Sequence, residues 1–113
     1  METDQTERIE RIEVFEEKFG VKFDGLYAAF GEADEHGALN VFVRGEAHAR
    51  DKSSKIKQCL ELVAVAYDEK GRVLGKGNQY IGRESFFAFD VFEIDLYGVP
   101  RTPARIKLYP KAT

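Results

Sequence analysis

The sequence holds only one cysteine and no tryptophan among its 113 residues. A single cysteine excludes a disulfide within the chain, which is the usual means of stabilising a small secreted domain. Because Glu61 interrupts the longest apolar stretch, no run approaches the roughly 18 residues that a membrane-spanning helix needs. The first 20 residues lack the basic and apolar segments of a secretory signal. These absences predict a cytoplasmic protein without a membrane span.

The composition is that of one folded domain. Hydrophobic residues make up 43% of the chain and charged residues 33%, with nine phenylalanines and five tyrosines to fill a core. This length is typical of single domains, so we expect one domain over residues 1–113. The net charge of −3 conceals an asymmetry: residues 1–36 carry 11 acidic and 4 basic side chains, whereas residues 37–113 carry 9 acidic and 13 basic ones.

The N-terminal segment has the pattern of an amphipathic helix. Four apolar residues recur at intervals of three, three and four positions, namely Ile9, Ile12, Phe15 and Phe19. This spacing places them on one helical face. Asp4 followed by Glu7 resembles a capping box, and Gly20 suits the left-handed residue that ends a helix. The pattern predicts an acidic helix over residues 3–19; the alternative is that Glu13–Phe19 belongs to a strand.

Beyond this segment the apolar residues alternate with a period of two, which indicates β-strands. Six strand segments are predicted, separated mostly by short turns: residues 26–30, 41–50, 59–67, 72–81, 86–96 and 104–109. Six strands at regular spacing are typical of an antiparallel sandwich or a small barrel. We therefore expect a mainly β chain, with an antiparallel immunoglobulin-like β-sandwich of six to seven strands over residues 21–110 behind the N-terminal helix.

Several positions carry more detailed expectations. Asp68–Gly71 has the pattern of a type I turn that closes with a left-handed glycine. Gly75 and Gly77 predict a bulge or a close backbone approach. In residues 86–96 the apolar face switches near Asp90, so a β-bulge is expected there to restore one core face. Pro110 is expected to end the last strand.

The segment from Val63 to Gly75, with the turn Gly82–Ser85 and the strand start Phe86–Phe89, resembles bacterial immunoglobulin-like domains of the FxLYD type. Those domains carry an apolar strand ending in Tyr-Asp, a glycine turn, a valine-rich return strand and then a phenylalanine-rich strand. The similarity covers residues 57–94. It implies a seven-stranded sandwich with an accessory or binding role, and it brings no catalytic residues with it.

No combination of residues indicates catalysis or a metal site. His36, His48 and Cys59 do not have the spacing of zinc ligands, and Cys59 is expected to pack as a buried thiol. Three carboxylates lie on the phenylalanine-rich strand: Asp90, Glu93 and Asp95. Glycoside hydrolysis needs two carboxyl groups across a cleft, and a domain of this size has little room for one. We expect solvated charges, or one buried acid at the bulge, and no cofactor; an enzyme using Asp90 or Glu93 is the last-ranked hypothesis.

Basic residues cluster around the second predicted strand and the loop after it: Arg44, Arg50, Lys52, Lys55 and Lys57. Tyr27, Phe42 and Tyr80 could add stacking surfaces for nucleic acid. The isoelectric point near 5.4 argues against a nucleic-acid partner. The acidic N-terminal helix is the alternative partner for this cluster.

The leading functional hypothesis is a non-enzymatic β-sandwich module that binds a protein partner or a second copy, through an edge strand or the amphipathic helix. Its candidate contact residues are Phe42, Arg44, Arg50, Lys52, Tyr80 and Tyr109. Of these, Phe42 and Tyr109 are predicted on outward faces. The alternative is a small-molecule or carbohydrate binder with Tyr27, Tyr67 or Tyr80 in a groove.

Overall fold

Two four-stranded sheets pack against each other, in a computed structural model that describes residues 2–113. The first sheet has the order β1-β3-β4-β7 and consists of β1 (Thr3–Asp4), β3 (Val21–Phe30), β4 (Leu39–Ala49) and β7 (Phe89–Val99). The second has the order β2-β8-β5-β6 and consists of β2 (Ile9–Arg11), β5 (Leu60–Tyr67), β6 (Val73–Ile81) and β8 (Arg105–Ala112). Pairing is antiparallel except between β2 and β8. The mainly β, sandwich-like prediction is confirmed: residues 21–112 hold six strands, and two further short strands, β1 and β2, lie in the segment predicted as a helix.

The core lies between the two sheets. Every second residue of the central strands points into it. On β5 the inward residues are Leu60, Leu62, Ala64 and Ala66, and on β7 they are Phe92, Ile94 and Leu96. The rings of Phe23 and Phe92 meet in the core with centroids 5.5 Å apart. The side chains of the core come from strands far apart in the chain. Removal of their apolar surface from water stabilises the packing of the two sheets.

The predicted helix over residues 3–19 is wrong for its first ten residues. Residues 3–4 pair with β3, Thr6–Arg8 form a 3-10 turn, and β2 pairs with β8. Only α1 (Glu13–Phe19) is helical, so the alternative of a strand over these residues is wrong as well. The free edges of both sheets offer backbone partners, and such tertiary pairing overrides a marginal helical preference. The helix ends at Gly20 with φ of 73°, as predicted.

A buried ion pair fixes the position of α1. The side chain of Glu16 is fully buried. It accepts hydrogen bonds from Nε of Arg11, at 3.0 Å, and from Nη2 of the same guanidinium. The backbone N–H of Phe23 also donates to Glu16, at 3.0 Å. One carboxylate therefore joins α1, β2 and β3, and its hydrogen bonds raise the pKa of Arg11 above its usual value.

Strand β7 is regular where a bulge was predicted. Its pairing with β4 runs without a shift from Val41 opposite Leu96 to His48 opposite Phe89. The expected bulge near Asp90 is therefore wrong, and Asp90 is exposed rather than buried. The strand starts three residues later than predicted, after Ala88, whose φ is 66°.

The remaining turn and glycine predictions fare better. Gly71 closes the β5–β6 turn with φ of 79°. A bulge in β6 follows at Leu74, since Ala66 pairs with Gly75 and Tyr67 with Val73. At Gly77 the second sheet comes close to β7, because a Cβ there would clash with the carbonyl oxygen of Asp95.

Pro110 lies inside β8, opposite Leu62, so the prediction that it ends the strand is wrong. It falls beyond the residues that pair with β2, where one edge of β8 is free and a missing N–H is tolerated. In the part of the chain that the structure describes, no helix is long and apolar enough to cross a membrane.

Candidate interaction surfaces

Three large apolar side chains are exposed at the start of β7 and just before it. Phe87, Phe89 and Val91 are 71%, 49% and 66% exposed, and we call them the β7 patch. Phe89 and Val91 point away from the core because Phe92 and Ile94 occupy the inward positions of the same strand. The ring of His48 stacks on that of Phe89, with centroids 5.3 Å apart and planes at 17°. The patch therefore exposes apolar side chains outside the core, with Phe89 and Val91 on one face of β7 and Phe87 just before the strand.

Polar and charged side chains of β4 border the β7 patch. Nε2 of His48 lies 2.9 Å from Oε1 of Glu46, and Glu46 is the cross-strand partner of Val91. At the next outward position of the same two strands, Nε of Arg44 lies 3.2 Å from Oε2 of Glu93. An apolar centre with a polar margin is the usual composition of a protein interface.

Phe42 lies on the same outer face but is covered by its neighbours. The guanidinium of Arg44 lies 4.2 Å from the centroid of its ring, and the ring of Tyr27 lies 6.0 Å away. Phe42 is consequently only 8% exposed. The hydroxyl of Tyr27 donates to Glu2 at 3.1 Å, which holds the N-terminal strand over this region.

The outer face of the second sheet has a different character. Its central strand, β5, presents Val63 and Val65, each only 7% exposed because the side chains of the flanking strands cover them. The cations on those strands are Lys76 on β6 and Arg105, Lys107 and Lys111 on β8. We call these four residues the basic face. Arg105, Lys107 and Lys111 share one face of β8 because side chains two positions apart in a strand point the same way.

Two tyrosines lie among these cations. The guanidinium carbon of Arg105 and Nζ of Lys107 each lie 5.1 Å from the centroid of the Tyr67 ring. The ring of Tyr109 packs edge-on against Phe15 of α1, with centroids 5.9 Å apart. Tyr109 also borders a shallow depression of about 270 Å³, with Val63 at its centre.

The five basic residues predicted as one cluster separate into three places. Arg44 is paired on the first sheet, as described above, and Nε of Arg50 donates to the carbonyl oxygen of Val21 at 2.7 Å. The three lysines lie exposed in the loop after β4: Lys52, Lys55 and Lys57. That loop adjoins the C-terminal end of α1, where Glu17 and Lys55 border a depression of about 110 Å³. Within the described residues, no ion pair joins the loop lysines to the acidic residues of α1.

Cys59 is not a core residue, contrary to the prediction. It precedes β5 and is half-buried, beside the exposed Tyr80. The backbone N–H of Arg83 lowers the pKa of the Cys59 thiol, and a hydrogen bond with Tyr80 lowers it further. The same contact raises the pKa of Tyr80.

The buried carboxylates are not those expected from the phenylalanine-rich strand. Besides Glu16, Asp68 is buried at the β5–β6 turn. It accepts the backbone N–H groups of Arg72 and Lys70, at 2.9 Å each, and the guanidinium groups of Arg72 and Arg101, at 2.8 Å each. The Arg72 backbone contact, followed by the Arg101 guanidinium, holds the pKa of Asp68 well below its usual range. With four donors from the turn and from Arg101, this carboxylate stabilises the turn.

The structure does not bring the six predicted contact residues into one site, although Arg44 packs on the ring of Phe42. Phe42 and Arg44 lie on the first sheet, Arg50 and Lys52 follow it, and Tyr80 and Tyr109 lie on the second. Tyr27, Tyr67 and Tyr80 border none of five surface depressions found among residues 2–113. Within that range, no three His, Cys, Asp or Glu residues are grouped as metal ligands would be.

No family model, curated protein or solved structure matches this chain. The β7 patch and the basic face therefore rest on geometry alone. Sequence reasoning missed both, although signals for them exist. The switch of apolar face at Asp90 marked the β7 patch, and the alternation of cations with Ile106 and Leu108 marked the basic face.

Proposed function

We propose that this chain is a non-enzymatic interaction module that associates with a second copy of itself through the β7 patch. The observation that supports this is the exposure of Phe87, Phe89 and Val91 within five residues of one another, outside the core. Burial of apolar surface contributes roughly 25 cal/mol per Å², so a contact that covers these three side chains from both copies is favourable. Contiguous exposed apolar patches on soluble domains commonly mark such interfaces.

The patch suits a two-fold symmetric contact. In such a dimer the same surface of each copy meets itself, so it must be self-complementary. An apolar patch meets this requirement. The neighbouring Arg44 and Glu93 have opposite charges, so Arg44 of one copy can also pair with Glu93 of the other across the two-fold axis. Since Gly77 already brings β6 close to β7, we propose contact through the outer face of the sheet rather than strand addition at its edge.

The finer assignment of the fold is part of the proposal. We place the two sheets with immunoglobulin-like sandwiches of the FxLYD type, on the resemblance over residues 57–94. The Tyr67–Asp68 sequence at the end of β5 and the glycine turn after it support this placement. An accessory or binding role, without catalysis, follows from that resemblance.

Sedimentation velocity over about 1 µM to about 1 mM, a range that covers weak and moderate affinities, tests the proposal. We expect the wild type to reach twice the 12.8 kDa of one chain as concentration rises. The double variant Phe87→Ser/Phe89→Ser should remain monomeric. Val73→Ser is the matched control, because Val73 is similarly exposed at 62% but lies on β6.

A wild type that stays monomeric at the highest concentration overturns self-association. So does a dimer that persists in the double variant, since its interface must then lie elsewhere. Circular dichroism of each variant establishes that the fold is retained before the masses are compared.

A further inference from the structure

We infer that the basic face of the second sheet is a docking site for an extended acidic peptide. This surface lies on the other sheet from the β7 patch, so the inference is independent of the proposed self-association. Its elements are the four cations Lys76, Arg105, Lys107 and Lys111.

The charges of the basic face are not neutralised within the chain. Four ion pairs between arginine and a carboxylate and two histidine–carboxylate contacts occur among the described residues, and none of them includes any of these four cations. Two carboxylates belong to the same surface. Glu61 accepts a hydrogen bond from Asn78 at 2.9 Å, and Glu10 lies on β2 opposite Lys107. Four cations against two carboxylates leave a positive surface on a chain whose net charge is −3.

The spacing of the cations suits an extended chain. Val65 pairs with Lys76 on one side and Lys107 on the other, so these two lysines flank the central strand at the same level. Along β8, Arg105 and Lys107 are two residues apart, which is about 7 Å in a strand. A peptide lying along β5 in extended conformation repeats its side chains at that same interval. Alternate carboxylates on one side of such a peptide can therefore face Arg105 and Lys107, and one on its other side can face Lys76, while its backbone passes over Val65.

The aromatic contacts favour a peptide over a nucleic acid. Single-stranded nucleic acids bind by stacking bases on free aromatic faces. Here Arg105 and Lys107 already lie over the ring of Tyr67, and Tyr109 packs against Phe15. Both rings nearest the cations are therefore engaged, whereas Tyr80, which is 57% exposed, lies four residues from Lys76 on the same face. The charge beside the engaged rings is the chemistry that recognises carboxylates.

Fluorescence anisotropy with fluorescein-labelled decaglutamate tests this inference. In about 50 mM NaCl, where surface charges are weakly screened, we expect saturable binding by the full chain. The double variant Lys76→Gln/Lys107→Gln should weaken it at least fivefold. The control Lys52→Gln/Lys55→Gln removes the same charge from the loop after β4 and should change it less than twofold. If the first variant loses its fold by circular dichroism, Lys76→Gln/Lys111→Gln replaces it with the same expected loss.

Three outcomes overturn the inference. The first is the absence of binding to decaglutamate at millimolar protein. The second is equal weakening in the loop control, which would show that binding depends on the total charge of the chain and not on the basic face. The third is tighter binding of a labelled ten-residue deoxythymidine strand than of decaglutamate, which would assign the face to nucleic acid.

Discussion

Arg11 and Glu16 form an ion pair that joins an edge strand to the only α-helix of the described chain, and the carboxylate of Glu16 is fully buried. The backbone N–H of Phe23 completes the set of donors to that carboxylate. A buried charge that keeps all its partners is tolerated, whereas removal of one partner leaves it uncompensated. The guanidinium of Arg11 is therefore the counter-ion that the buried carboxylate on α1 requires.

We expect Arg11→Leu to destabilise the fold by about 2–4 kcal/mol, because it leaves the Glu16 carboxylate buried without its counter-ion. Urea denaturation followed by circular dichroism at pH 7 measures this loss. Arg8→Leu is the control, since Arg8 is exposed and has no ion pair among the described residues. Equal midpoints for Arg11→Leu and wild type would show that the pair contributes nothing.

Asp68 should make the fold sensitive to acid. Its pKa is lower in the folded chain than the ordinary value near 3.9. A lowered folded pKa gives stability that is present above the unfolded value and is lost as pH falls towards the folded one. We expect Asp68→Asn to melt at a lower temperature than wild type at pH 7, and the difference to shrink as pH falls below about 4. Thermal melts between pH 7 and pH 2 provide the measurement.

Two companions sharpen the Asp68 experiment. Arg101→Gln removes one guanidinium from the carboxylate and should give a smaller loss in the same direction. Asp90→Asn alters an exposed carboxylate and should leave the melting temperature at pH 7 unchanged. A difference between Asp68→Asn and wild type that is constant at every pH would contradict the linkage.

How far the sequence predicts this fold depends on where each strand finds its partners. Strands β4, β5 and β6 were located to within two residues, because the inward residues of β4 and β5 are apolar and the turn after β5 has strong signals of its own. Residues 3–12 could not be assigned in this way. Their partners lie on β3 and β8, far along the chain, and the spacing of Ile9 and Ile12 fits a helix as well as an edge strand.

The candidate surfaces were harder to predict because exposure is set by the whole sheet. Phe42 and Phe89 both point outward, yet Arg44 and Tyr27 cover the first whereas the second stays half exposed. Alternation identifies the outward face of a strand. It does not identify which neighbours will lie over a given side chain, since those neighbours come from other strands.

Gly77 should be intolerant of a side chain. A Cβ at this position would meet the carbonyl of Asp95 on β7, and neither backbone can move without disturbing the contact between the sheets. We expect Gly77→Ala to destabilise the fold by about 1–3 kcal/mol, as overpacking of a core does. Gly31→Ala is the control, because a Cβ there has nothing within 4 Å. Urea midpoints compare the two, and equal stability of both variants would place β6 further from β7.

The register of β7 predicts opposite roles for two phenylalanines three positions apart. Phe92 is 2% exposed in the core, whereas Phe89 is 49% exposed in the β7 patch. Phe92→Ala should therefore destabilise the chain by about 3–5 kcal/mol, as core truncations of this size do. Phe89→Ala should change the stability of the monomer by less than about 1 kcal/mol, as most surface substitutions do. Urea denaturation at low micromolar concentration isolates the monomer from any association. A bulge at Asp90 would turn Phe89 inward, and Phe89→Ala would then cost as much as Phe92→Ala.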